Sequence, residues 1–284
     1  MTHTPDDATP PSSRLSSSRQ TSDPGGLSPA STVRSRRFYG WELGIVLALS
    51  LGQSAVYAAL RLWERAVETP IADQVARVQT SRARSEGFDF LFQLLDSLFA
   101  LVPVALVLYL FILHTGGNPF RRWGLDFRRP GRDWALAAGL FVLIGAGTLV
   151  IYFLGRSLGV TAQIVPAEVT QYWWSSPMLL LAAVRHSLLE EVIMIAYLFD
   201  RARRIWPGVS IWLIILGSAV LRGAYHLYQG FGPGIGNLAM GVIFGWLYTR
   251  YGRVMPLVIA HFLLDAVAFL AFPLVLRTFG LESL

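Results

Sequence analysis

The sequence predicts an all-α fold, a polytopic transmembrane helical bundle of about seven spans. Three observations carry this: 54% of residues are hydrophobic and 15% charged, mean hydropathy is +0.48, and apolar runs recur along the chain. Soluble domains carry about 25% charged residues. As helix, about 20 apolar residues cross the roughly 30 Å of bilayer hydrocarbon, so spans are the units of organisation here. The absence of Cys excludes disulfides, thiolate metal sites and a Cys nucleophile. The basic residues are all Arg and cluster beside apolar runs, so the positive net charge points to membrane lipid as the contacted surface and not to nucleic acid.

Three regions follow in order. Residues 1–37, rich in Ser, Thr, Pro, Asp and Arg, cannot bury enough apolar surface to offset ordering entropy and are expected to form a disordered cytoplasmic tail. Residues 38–160 hold the first three spans, Trp41 to Leu62, Phe90 to His114 and Trp134 to Leu154. Residues 161–284 hold four more: Pro177 to Phe199, Val209 to Leu227, Ile235 to Tyr248 and Met255 to Leu276. Val67, Ile71, Val75 and Val78 recur at helical spacing, which predicts a short surface helix near residues 64–84. Gly241 and Gly245 form a small-xxx-small pair suited to close helix contact.

Arginine placement orients the bundle. The tail, the loop with Arg121, Arg122, Arg128, Arg129 and Arg132, the Arg201/Arg203/Arg204 turn and the Arg250/Arg253 turn fall on one side. That side is cytoplasmic by the positive-inside rule. The N-terminus is then inside, and the C-terminus, just past Arg277, outside.

Ionisable groups in hydrocarbon cost about 2.5–3.5 kcal/mol each on insertion scales, so those within spans are expected to face the protein interior. The first three spans contribute only Asp96 away from their ends, expected to make an interhelical bond. The later spans contribute Arg185, His186, Glu190, Glu191, Arg222, His226, His261 and Asp265. His186 and Glu190, Arg222 and His226, and His261 and Asp265 are each four apart, so each pair shares a helix face. Three polar stripes on apolar helices are expected to converge, because lipid offers them no partner. His3 and His114 are expected at the solvent or interface.

Glu190-Glu191, then Tyr225-His226, then His261-Phe262-Leu263-Leu264-Asp265 resemble the CPBP family, the membrane proteases related to CAAX prenyl endopeptidases and bacteriocin self-immunity proteins. The family pattern is a Glu-Glu pair followed four residues later by Arg, then Phe-x-x-x-His, then His-x-x-x-Asn or Asp. It is matched in order over residues 177–278. Two flanking positions depart from it: Ile195 stands in place of the Arg and Arg222 in place of the Phe. Arg222 shares a face with His226 and is expected to supply the missing positive charge beside Glu191.

The resemblance implies an integral protein of the bacterial plasma membrane. Its implied activity is cleavage of a peptide bond near a membrane anchor or peptide C-terminus, in a peptide or membrane-anchored protein substrate. It implies Glu190 as general base, His226 holding the attacking water, and His261 and Asp265 on the oxyanion side, with Glu191 and Arg222 supporting. Asp265 would either be protonated or orient His261, which then donates. No cofactor is expected. The alternative is a zinc protease with Glu190, His226 and His261 as ligands, since two His and a carboxylate match a catalytic zinc with one open position. No His-Glu-x-x-His stands on one helix. A membrane immunity or binding protein and a proton-coupled transporter are the other readings, although no internal repeat supports the latter. Oligomeric state is not encoded in any motif.

Along the fifth span, His226 is expected about 25 Å from the cytoplasmic end, against roughly 12–15 Å for Glu190 and His261 on theirs. These depths conflict with a common site.

Overall fold

The computed structural model describes residues 35–68, 70–167 and 172–271. Most of the tail, and the end of the last span with Arg277, lie outside the described residues. The described chain is mostly helical. Its helices are α1 (Arg36–Leu47), α2 (Gln53–Glu68), α3 (Glu86–Ala100), α4 (Val102–Thr115), α5 (Pro119–Arg122), α6 (Pro130–Ser157), α7 (Ser175–Glu190), α8 (Leu198–Ile205), α9 (Ile211–Tyr225), α10 (Phe231–Tyr251) and α11 (Met255–Ala266). A π-helical turn, Ala48–Gly52, joins α1 to α2, another, Glu191–Tyr197, joins α7 to α8, and a third, Val267–Ala271, extends α11.

Three stretches among the described residues are long and apolar enough to cross a membrane: Arg36–Glu64, Glu86–Thr115 and Pro130–Ser157. Ile211–Tyr225 and Met255–Ala271 are apolar but shorter. Val142, Leu143, Val150 and Phe153 of α6 are exposed in the isolated chain, as expected of a helix that faces lipid on one side. The core instead centres on the Glu191–Tyr197 turn, every residue of which is buried. Around it pack Phe244, Ile215, Leu257 and Trp123.

The structure corrects the surface helix near residues 64–84. Helix α2 runs to Glu68 and Pro70 follows, a residue that neither donates a backbone bond nor allows the helical conformation before it. Ile71–Asp73 is one 3₁₀ turn, and Val75–Gln79 is a strand, β1. It pairs in parallel with β2 (Gln163–Ala167), Val75 opposite Gln163 and Gln79 opposite Ala167. The β-branched valines suit either reading. The partner lies more than eighty residues away, beyond what local periodicity registers.

Just before β2, Thr161 bridges antiparallel to Gly230, with Phe231 N–H donating to Val160 O (3.0 Å) and Ala162 N–H to Gln229 O (3.3 Å). Gly230 has φ 104°, and a Cβ there would sit 3.0 Å from Val160 O. Only glycine adopts this conformation readily. The small sheet is thereby tied to the turn that follows α9. The Gly241/Gly245 pair packs as expected: a Cβ on Gly241 would come within 2.9 Å of Ala219 Cα, and one on Gly245 within 3.1 Å of Phe199. Glycine lets α10 approach α9 backbone to backbone.

On the α10–α11 turn, Arg253 donates to both oxygens of Asp133 (3.0 and 2.7 Å), to Asp126 O (2.7 Å) and to Asp126 Oδ1 (2.9 Å). Burial alone would raise the Asp126 carboxyl, but bonds from Arg253 and from the Arg128 N–H outweigh it and hold it below the ordinary range. A depressed folded-state value stabilises the fold fully above the unfolded value of about 3.9, and the contribution fades as pH falls through the lower one. Thermal unfolding of the purified protein should therefore lose stability below about pH 4 more steeply in wild type than in Asp126→Asn. Parallel pH profiles would reject this role.

Candidate active site

The π turn starts on the second glutamate, so Glu190 closes α7 and Glu191 opens the wider turn. A π turn disrupts the ordinary α-helical bonding register, and such turns concentrate at functional sites. The Ser218 hydroxyl of α9 donates to Met194 O (2.8 Å), satisfying a buried carbonyl there. Ile195, where the family pattern has Arg, is fully buried in this turn.

Arg222, in the last turn of α9, brings the charge. Its Nη2 donates to Glu190 Oε2 (3.0 Å) and to Glu191 Oε1, and its Nη1 to Glu191 Oε2 (3.3 Å). Its guanidinium also lies over the Phe244 ring, 5.5 Å from the centroid. Glu190, Glu191 and Arg222 are all buried. Buried carboxylates need such a partner, since leaving either unpaired costs several kcal/mol.

Glu190 is held by one oxygen. Oε2 accepts from Arg222 and from Tyr225 Oη (2.7 Å), whereas Oε1 faces His226 Nε2 at 3.9 Å. Neither ring nitrogen of His226 has a hydrogen-bond partner among the described residues. On the other side, His261 Nδ1 donates to Glu191 Oε1 (2.7 Å), and its Nε2 stands 3.8 Å from Asp265 Oδ2. Asp265 is nearer to His186, whose Nδ1 is 3.1 Å from Oδ2. The three stripes do converge: Glu190, Glu191, Arg222, His226 and His261 surround one point, with Asp265 and His186 at its edge.

The depth conflict between Glu190 and His226 disappears because α7, the π turn and α8 run unbroken to Ile205. Glu190 is fifteen residues before Ile205, and His226 fifteen after Ile211. At 1.5 Å per residue both lie about 22 Å along an antiparallel pair. Arg201, expected in a cytoplasmic turn, is instead fully buried within α8. Its Nε donates to Glu42 Oε1 (2.6 Å), which also accepts from Tyr197 Oη (2.7 Å).

His114, expected at the interface, is part of the same group, its Nδ1 3.2 Å from Glu42 Oε2 and its side chain buried. Asp96, expected to bond between spans, pairs with Arg82 (3.1 Å), which precedes α3, and both remain about half exposed.

One set of carboxylate and imidazole groups among the described residues is close enough to share a cation: Glu190, Glu191 and His261, with one ligand atom each within 4.8 Å of the others. That shared position is occupied by Arg222, whose Nη2 is also 3.3 Å from His261 Nδ1.

Residues 172–267 match the family described as type II CAAX prenyl endopeptidase Rce1-like. The match agrees with the resemblance carried by the Glu-Glu, His and His-x-x-x-Asp elements. The Rce1-like segment covers about a third of the chain. It contains every residue of the converged cluster, and leaves outside the Glu42/His114 pairing and β1. No curated protein and no solved structure matches the chain. The Rce1-like match points to a protease, and the apolar helices point to a membrane protein.

The sequence assigns no role to two residues that the site uses. Tyr225 is three residues after Arg222 and so lies near its face, but it is not one of the four-residue pairs. It reaches Glu190 because α9 ends there and His226 leaves the helix. His186 was on a stripe, but no motif element marked it.

Proposed function

We propose that this chain is an intramembrane endopeptidase in which Glu190 activates water without a metal. The observation that carries the reading is the divided Glu190 carboxylate, fixed through Oε2 and presenting Oε1 to His226 Nε2 at 3.9 Å. Two groups at that separation both reach one water at about 2.8 Å. Oε1 takes the water's proton as the oxygen attacks the scissile carbonyl, and His226 orients that water. The tetrahedral oxyanion forms beside His261, which acts as the imidazolium: its Nδ1–H is held by Glu191 Oε1 and its Nε2–H donates to the oxyanion. Glu190 then returns the proton to the leaving amine as the C–N bond breaks.

Arg222 supports the metal-free version. A divalent ion bound by Glu190, Glu191 and His261, or by Glu190, His226 and His261, would draw on carboxylates already committed to a guanidinium. The residues fit a guanidinium at the place a zinc ion would take.

The proposed setting is the bacterial plasma membrane, with seven spans, the N-terminus cytoplasmic and the C-terminus outside. The substrate is a peptide or membrane-anchored protein cut near its anchor or C-terminus. The test is purified protein in liposomes with fluorogenic CAAX-type peptides, with and without an isoprenyl group on the Cys. Cleavage is expected and should persist after exhaustive chelation. Loss on chelation with recovery on adding zinc would overturn the metal-free mechanism, and no cleavage of any peptide would overturn the peptidase reading.

A further inference from the structure

His186 takes no part in the steps above, yet it is wired into the site. It precedes Glu190 by one helical turn on α7. Its Nδ1 lies 3.1 Å from Asp265 Oδ2, its Nε2 2.6 Å from Arg185 Nη2 and 3.4 Å from Gln79 Nε2 of β1. Phe269 closes against the ring edge-to-face at 5.8 Å.

A guanidinium only donates. With Arg185 on Nε2, that nitrogen is the acceptor, so the ring proton sits on Nδ1 and is donated to Asp265. The tautomer follows from the partners, as is usual for a histidine held on both sides. Asp265 Oδ2 is then an acceptor in a fixed position. Of the two roles open to Asp265, this contact favours orienting His261.

We propose that His186 is a positioning residue for the oxyanion side, holding the Asp265 carboxylate so that it orients His261 Nε2–H toward the substrate oxygen. The inference rests on the peptidase reading. At 3.8 Å, Asp265 steers the Nε2–H without capturing it, which leaves the proton available to a substrate oxygen. An amide at position 265 carries its own N–H donor and would need no such partner. His186 matters here because position 265 is a carboxylate.

Two measurements test this on the full chain in liposomes or micelles. The first is a double-mutant cycle on cleavage of the fluorogenic CAAX-type peptide. His186→Ala should lower kcat about tenfold with KM within about twofold, and His186→Asn, whose amide can donate from near the Nδ1 position, should recover most of the loss. In an Asp265→Asn background, His186→Ala should cost less than about twofold more. Losses that multiply, or a His186→Ala enzyme with wild-type kcat, would overturn the proposal. If His186→Ala does not fold, His186→Leu, which fills the space without a donor, takes its place in the two backgrounds.

The second is the nitrogen spectrum of histidine-labelled protein. His186 should show the Nδ1–H tautomer, and Asp265→Ala should shift its Nδ1 resonance. An Nε2–H ring would refute the relay even in an active enzyme, whereas failure of the wild type to cleave would refute the peptidase reading itself.

Discussion

Glu190→Gln is expected to reduce peptide cleavage about a thousandfold, with the protein still folded. The two expectations have separate origins. Gln keeps the shape of Glu and an oxygen for the bonds from Arg222 Nη2 and Tyr225 Oη, so the packing around the π turn survives. What it loses is the second carboxylate oxygen, the one facing His226 Nε2. An amide NH₂ there can neither take a proton from water nor return it to a leaving amine, so one substitution removes both general base and general acid. A well-placed base contributes about 10²–10⁴ on its own.

The assay is initial cleavage rate in liposomes, with thermal unfolding as the control for folding. Retention of more than a few per cent of activity by a folded Glu190→Gln protein would assign the base elsewhere. If cleavage is lost while a cellular phenotype of the protein persists, the cluster serves binding and not proteolysis. His226→Ala should show a comparable loss, because it releases the water that Glu190 would activate.

How far the site was legible in the sequence depended on whether the signal was local. The four-residue spacings put each pair on one face, and polar groups on apolar helices had to find one another; helix period and the cost of burial suffice for that. The exchange of Arg from the Ile195 position to Arg222 was legible for the same reason, since a buried Glu pair needs a cation from some neighbouring helix.

The errors all involve partners distant in sequence. An arginine in a span is costly, so the sequence places Arg201 in a loop. That reading ends the fourth span at Phe199 and sets His226 deeper than Glu190. Its cost is offset by Glu42, 159 residues earlier and near the start of α1, and by the Tyr39 and Tyr197 rings stacked on its guanidinium at 5.4 and 4.8 Å. His114 departs from expectation with it, its Nδ1 lying 3.2 Å from the same Glu42 carboxylate. The strand at Val75–Gln79 reads as helix until its partner at Gln163 is known. In each case the residue alone was ambiguous, and a contact made only after folding decided it.

Arg222→Ala should have the largest effect on stability. The guanidinium is essentially unexposed and is the cation bonded to both Glu190 and Glu191. Its removal leaves two adjacent buried carboxylates facing each other and His261. Breaking a buried pair in this way costs about 3–5 kcal/mol, a large share of a typical folding free energy. The expected result is a sharp fall in thermal midpoint, or failure to recover monodisperse protein. Arg222→Lys should recover part of the stability, because an ammonium restores the charge but not the planar fork that binds two carboxylates at once.

The more discriminating variant changes both partners. Arg222→Met with Glu191→Gln removes one charge of each sign, and replacing a buried ion pair by neutral groups of similar volume is often tolerated. This double variant should be more stable than Arg222→Ala yet remain inactive, because Glu190 Oε2 keeps only Tyr225 and the carboxylate is free to turn Oε1 away from His226. Equal stability of Arg222→Ala and wild type would show that the two carboxylates do not need this cation. An active double variant would show that Arg222 balances charge without aiming Glu190. Instability and inactivity are expected to separate because Arg222 does both: its charge permits two glutamates to be buried, and its geometry leaves one oxygen of Glu190 pointed at the place where water must be held.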